Sequence, residues 1–291
     1  MSCPPFRFLS ELPASGVQVS CFSEIQLFCD NSQQLLLARC RFLQAAFRQA
    51  DYAGLMIELP SDIAGAVPKR QLEYLAGRYL SRLLLQQSGL FQPLPPQLGV
   101  SLMRAPAWPL AVTGSITHHQ SHACTVLLTR PLAADNFIGV DTELWLSPQQ
   151  AHDIATSIHS PAEQDMLLRA GFTAVQATTL LFSAKEALFK AICPFVGEYF
   201  GFDAAELKAC SQFAAVGSCS TEDGWLELQL TSEWVAARSP QRTFRCWFRC
   251  SQLDVLTLVC SDALTARWQN RGLSEVAAPV RMSGLHNLSE L

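Results

Sequence analysis

The chain has 291 residues, 49% hydrophobic and 16% charged, with a formal net charge of −4 and a pI near 5.9. A charged fraction below the roughly 25% usual for soluble domains excludes a disordered, solvating role, and an acidic balance without a basic run excludes broad binding to nucleic acid. Eleven cysteines without a CxxC pair suggest neither a disulfide framework nor a zinc ribbon. The first residues lack the pattern of a secretory leader, and no apolar run approaches the roughly 18 residues that span a bilayer, so the expectation is a cytoplasmic chain without stable membrane insertion.

In chain order, Val17 to Phe28 has the apolar content of a strand, and Gln33 to Gln49 carries Leu36, Leu37, Cys40 and Phe47 at roughly helical spacing. From Lys69 to Leu85 the residues Leu72, Leu75, Ala76, Tyr79, Leu83 and Leu84 form one stripe, opened by Pro68, and predict a helix. Ser88 to Pro109, rich in Pro, Gly and Gln, reads as a connection with little regular structure. Ala123 to Leu128 and Phe137 to Val140 read as buried strands, with a turn at Ala133 to Asn136 between them. Pro161 opens a helix through Arg169, and Thr173 to Cys193 predicts a longer one closed by Pro194. Trp225 to Leu230, Thr243 to Phe248 and Val255 to Cys260 are further strands, and the residues after Trp268 read as a loosely attached tail.

Three segments carry chemistry. Only four of the basic residues are lysines, and two of these share the segment Phe182-Ser183-Ala184-Lys185-Glu186-Ala187-Leu188-Phe189-Lys190. There Glu186 and Lys190, four apart, face the same way, as a surface ion pair also would. In Asp141-Thr142-Glu143, strand alternation puts both carboxylates on one side. Two such acids are either hydrated at a strand end or neutralised by a hard divalent cation. Gly114-Ser115-Ile116-Thr117-His118-His119 reads as a turn of small and hydroxyl residues with room for a phosphate. His118, His119 and His122 also suggest a zinc cluster, but His118 and His119 would point to opposite faces of a strand.

Together these segments resemble the phosphopantetheinyl transferase family, in particular the longer class that includes the surfactin-synthetase activator and the enterobactin synthase component D type. The resemblance rests on AWP at 107 to 109, GSITH at 114 to 118, IGVDTE at 138 to 143, FSAKEALFKA at 182 to 191 and, upstream, KRQLEYLAGR at 69 to 78. The pattern departs from the family's at two positions: Thr142 stands where an aliphatic residue is frequent, and His119 where a cysteine often follows.

The resemblance implies transfer of the 4′-phosphopantetheine arm of coenzyme A to a serine of an apo acyl or peptidyl carrier protein, with release of adenosine 3′,5′-bisphosphate. The synthase served would make a nonribosomal peptide such as a siderophore, a polyketide or a polyunsaturated fatty acid. Asp141, Glu143 and Glu186 are the implied ligands of Mg²⁺, with Mn²⁺ as substitute, and Glu186 doubles as a candidate general base. Lys185 and Lys190 are implied to touch coenzyme A phosphates, Lys190 stabilising charge on the reacting oxygens. Arg70, Arg78, Arg104, Thr117 and His118 are implied to hold the 3′-phosphate and nearby diphosphate.

The fold implied is an α/β (α+β) monomer of two similar halves related by a pseudo-twofold axis. Each half is an antiparallel sheet with packed helices, and the active site lies in the cleft between them. The halves would be 1–135 and 136–268, followed by a tail at 269–291. Two other readings are a catalytically silent coenzyme A or carrier-protein binder, and a zinc-dependent hydrolase built on His118, His122 and a carboxylate. The aromatics from Phe195 to Phe202 would either dock the carrier or complete the core.

Overall fold

The computed structural model describes residues 7–12, 20–30, 34–91, 94–101, 103, 105–213 and 221–262; Arg104 and the tail lie outside the described residues. The chain opens with strands β1 (Arg7–Leu12), β2 (Phe22–Cys29) and β3 (Leu35–Phe42). Short helices α1 (Asp51–Gly54) and α2 (Ser61–Ala64) then lead to the long α3 (Pro68–Gln87). A two-residue pairing of β4 (Gly99–Val100) with β5 (Pro106–Ala107) precedes the hairpin of β6 (Thr113–His119) and β7 (His122–Leu128). Five of these strands form an antiparallel sheet in the order β1-β2-β3-β7-β6.

After the Ala133 to Asn136 turn, closed by two backbone hydrogen bonds, comes β8 (Ile138–Leu144). Three helices follow, α4 (Pro148–Ile158), α5 (Pro161–Arg169) and α6 (Ala174–Val196). Next are β9 (Ala205–Cys210), β10 (Glu222–Leu230), the short α7 (Glu233–Ala236), β11 (Thr243–Cys250) and β12 (Asp254–Cys260). The second antiparallel sheet runs β8-β12-β11-β10-β9.

The layers follow from strand alternation. In β3, Leu36 and Ala38 face α3 in one core, whereas Leu35 and Leu37 meet Val126, Val140, Trp247 and Leu258 in a cluster built only of strand residues. Helix α3 covers the outer face of the first sheet and α6 that of the second. The order is thus helix, sheet, sheet, helix, with β6 and β8 as neighbouring edges.

Three local expectations are corrected. Gln33 to Gln49 contains a strand followed by a single 3-10 turn at Gln44–Ala46. Leu35, Leu36, Leu37 and Ala38 are all buried in succession, a pattern that a strand covered on both faces produces and a one-sided helix does not. The segment Gly114 to His119 is itself strand, at the sheet edge. Pro194 lies inside α6, which ends at Val196 with Gly197 at φ 74°; the hydrogen bond that proline removes falls in the last turn, so the helix survives it.

Candidate active site

Helix α6 reaches the second sheet through small residues. A Cβ on Gly139 would stand 2.5 Å from the Ala191 nitrogen and nearer still to the Ala187 carbonyl oxygen, so the helix backbone lies directly on β8. The Ser183 and Thr257 hydroxyls share a 2.8 Å hydrogen bond that joins α6 to β12. Alternation then turns Gly139, Asp141 and Glu143 toward α6, and Glu186 and Lys190 face them. Lys190 Nζ donates to Asp141 Oδ1 at 2.6 Å.

The edge of the first sheet completes the carboxylate's surroundings. The Thr117 hydroxyl donates to Asp141 Oδ1 at 2.9 Å and accepts from the Thr142 backbone N–H at 3.3 Å, while Ser115 Oγ accepts from the Val140 N–H at 3.1 Å. Two β6 side chains thereby take the place of a neighbouring strand for the β8 edge. Asp141 Oδ2 is buried without a hydrogen-bond partner. Glu143 is pushed up to about 8, first by burial and then by the Asp141 charge, with Lys190 opposing and Glu186 adding to the rise. Glu186 is also raised, by burial first, with Lys190 opposing and Asp141 adding. Three carboxylates thus share one poorly solvated region with a single lysine contact.

His118 points the other way, toward α3, as the opposition of His118 and His119 requires. Arg70 Nη1 lies 3.3 Å from His118 Nε2, and Glu73 Oε2 lies 3.7 Å from both Arg70 Nη1 and His118 Nδ1. Burial lowers the His118 pKa, Glu73 working against that and Arg70 and Lys190 with it. In the neutral ring with its proton on Nδ1, Nε2 accepts from Arg70 and the N–H faces Glu73. Glu73 was not foreseen, although its placement three and four residues after Arg70 and Lys69 was a signal for it.

Two residues named from the sequence are engaged with other partners in the free protein. Lys185 is buried with its Nζ 2.7 Å from the Ile158 carbonyl and 3.0 Å from Glu163 Oε1, and it does not join Lys190. Five residues place the two lysines about 140° apart around the helix, so one cleft cannot receive both. Arg78, buried two turns beyond Arg70, stacks on Tyr74 with Cζ 4.5 Å from the ring centroid. It donates to the Gly99 carbonyl at 3.4 Å and lines a small cavity with Arg82 and Leu98. Thr117 is fully engaged with Asp141 and Thr142, which makes it a support for the carboxylate.

Among the described residues no three His, Cys, Asp or Glu side chains stand in a ready coordinating arrangement. The donor set nevertheless fits a hard divalent cation. A buried orphan oxygen on Asp141 and two neighbouring carboxyls raised by their surroundings are what such an ion would relieve. A zinc site on His118 and His122 has no such support, because these side chains lie on opposite faces of the first sheet. Of the aromatics from Phe195 to Phe202, Tyr199 is 73% exposed, whereas Phe200 is buried and Phe195 and Phe202 pack against the core.

The model of the 4′-phosphopantetheinyl transferase N-terminal domain matches residues 59–128, and that of the 4′-phosphopantetheinyl transferase superfamily matches residues 137–243. Enterobactin synthase component D of Escherichia coli O157:H7 is 38% identical over 123 residues, 42% of this chain and 55% of that protein. The 4′-phosphopantetheinyl transferase Svp of Streptomyces mobaraensis is 35% identical over 158 residues, 53% of this chain and 60% of that protein. Npt of Nocardia iowensis is 30% identical over 145 residues, 50% and 62% respectively. The chain therefore spans a little over half the length of these relatives. The two family models fall one after the other, the first taking in α3, β6 and β7 and the second β8 to β10 with Asp141, Glu143, Glu186 and Lys190, and on that ground the chain belongs to the 4′-phosphopantetheinyl transferase superfamily.

Proposed function

We propose that this chain transfers the 4′-phosphopantetheine arm of coenzyme A to a serine hydroxyl of an apo acyl or peptidyl carrier protein, releasing adenosine 3′,5′-bisphosphate. The observation that carries the reading is the meeting of Asp141, Glu143, Glu186 and Lys190 where β8, α6 and the β6 edge converge. Asp141, Glu143 and Glu186 would hold Mg²⁺, which supplies charge neutralisation for a diphosphate when bound. Lys190, held on Asp141 in the free protein, has the charge and reach to engage a phosphate oxygen in its place. Arg70 and His118 offer adjacent donors for a second phosphate group. Glu186, whose raised pKa makes it a better base than an ordinary carboxylate, is the group proposed to take the serine proton.

In this proposal residues 1–135 and 136–268 form the two walls of the site, and the protein acts as a cytoplasmic monomer. The carrier belongs to a nonribosomal peptide, polyketide or polyunsaturated fatty acid synthase. The test is incubation with coenzyme A, Mg²⁺ and a panel of apo carrier domains, read by mass spectrometry for the added phosphopantetheine. Product with wild type and none with Glu186→Gln supports the reading. Coenzyme A binding without product on any carrier would instead identify a silent binder, and product formation by Glu186→Gln would remove that residue from the chemistry.

A further inference from the structure

The space between the two sheets changes character along its length. At one end it is closed by Leu35, Leu37, Val126, Ile138 and Trp247; at the other, the same inward-facing positions of β3 become Arg39 and Arg41, and the sheets part around a cavity of about 320 Å³ with charged and polar side chains among its walls. Its walls include His119 and His122 of the β6–β7 hairpin, Thr142 of β8 and Asp254 of β12. Because Thr142 faces the cavity, alternation puts Asp141 and Glu143 on the opposite side of β8, so the cavity and the candidate active site share a strand without sharing a volume.

His119 is the informative group. It is 6% exposed, neither ring nitrogen has a close hydrogen-bond partner, and Nε2 faces the Asp254 carboxylate at 3.7 Å, within ion-pair range, while Nδ1 faces no such group. A buried imidazole with an unpartnered Nδ1 and only a long charge contact at Nε2, beside a cavity of this size, calls for an occupant. The His122 ring is 5.1 Å away, and Arg39, its Nε donating to Gln26 Oε1 at 2.7 Å, holds a guanidinium at the rim. The negative groups are largely engaged: Glu24 accepts from Arg41 at 3.4 Å, and Asp254 is bound by the Ser251 hydroxyl.

We propose that this cavity is a second ligand site, for a small oxyanion such as a phosphate or an organic carboxylate, recognised by Arg39 and Arg41 at its mouth and by His119 and His122 within. The inference does not rest on the transfer reaction. It is tested on the intact protein by titrating inorganic phosphate and, separately, citrate, while following the His119 and His122 ring nitrogens by NMR. A saturable response to at least one probe, with a Kd of about 1 mM or tighter, is expected. Which probe gives it distinguishes phosphate from carboxylate. Arg39→Gln with Arg41→Gln, both at exposed positions, should weaken that response at least about tenfold, whereas Arg70→Ala, on α3 beside His118 and on the opposite face of β6 from His119, should leave it unchanged. No response to either probe, a response indifferent to the Arg39 and Arg41 changes, or one abolished by Arg70→Ala overturns the proposal and leaves the cavity to water.

Discussion

Replacing Gly139 by alanine tests how the site is built more sharply than removing any of its charges. The added methyl group would lie 2.5 Å from the Ala191 nitrogen and closer to the Ala187 oxygen, where Cβ contacts under 3.0 Å are essentially never seen. Both obstacles are helix backbone, which no rotamer change can move aside. Helix α6 must therefore withdraw by at least about 0.5 Å at Ala191 and further at Ala187, carrying Glu186 and Lys190 with it. The 2.6 Å contact between Lys190 Nζ and Asp141 Oδ1 should open beyond about 3 Å. Overpacking of this kind costs about 1 to 3 kcal/mol, and unyielding backbone places Gly139→Ala at the upper end. Because a misplacement of about 1 Å can cost about 100-fold in rate, a fall in transfer of about tenfold or more is expected in addition to the stability loss. Urea denaturation and a carrier-modification assay at a temperature where the variant is folded separate the two effects. Gly65→Ala is the control, since nothing lies within 4 Å of its Cβ and its φ is −83°. If Gly139→Ala matched wild type and that control in both assays, the account of α6 seated on β8 would be refuted.

The buried pair of Lys185 and Glu163, with side chains 4% and 6% exposed, predicts that Glu163→Gln destabilises by about 3 to 5 kcal/mol, with partial rescue by adding Lys185→Met. Burial alone would raise the Glu163 pKa, but the N–H groups of Ser160 and Leu207 together with the Lys185 charge outweigh it and hold it below the ordinary value of 4.5. The stability gained from that depression is complete above the ordinary value and is lost as the pH falls through the folded one. Wild type should therefore lose more stability below about pH 4 than Glu163→Gln does, as denaturation series at several pH values would show. Lys190→Met should lower the transfer rate by about tenfold or more in a fold preserved by circular dichroism; Lys185→Met should act on stability and leave coenzyme A binding unchanged, and equal loss of binding in both variants would restore Lys185 to the coenzyme site. Since Glu73 works against the burial that lowers the His118 pKa, Glu73→Gln should depress that pKa further in an NMR titration; a rise would show that Glu73 does not face the ring.

Sequence reading succeeded where the signal is local and periodic. The stripe from Leu72 to Leu84 became α3, opened by Pro68 as expected, and Pro161 to Arg169 became α5 with its capping box at Ser160 and Glu163. It failed where burial comes from both sides. The run Leu35 to Ala38 reads equally as helix or strand until two sheets and a helix are known to cover it. Likewise β9 carries too short an alternation to stand out from the loops around it.

Asp141, Glu143, Glu186 and Lys190 could be named one by one as candidates, because strand and helix periods say which neighbours share a face. What periodicity cannot supply is the partner across space. That Thr117 is spent on Asp141, that Lys185 turns inward to Glu163, and that His119 faces a cavity between the sheets all depend on how β6, β8, β12 and α6 are brought together. Those contacts join residues from 22 to more than 130 positions apart. A one-dimensional pattern fixes the direction of a side chain on its own element, and only the folded arrangement decides what stands in front of it.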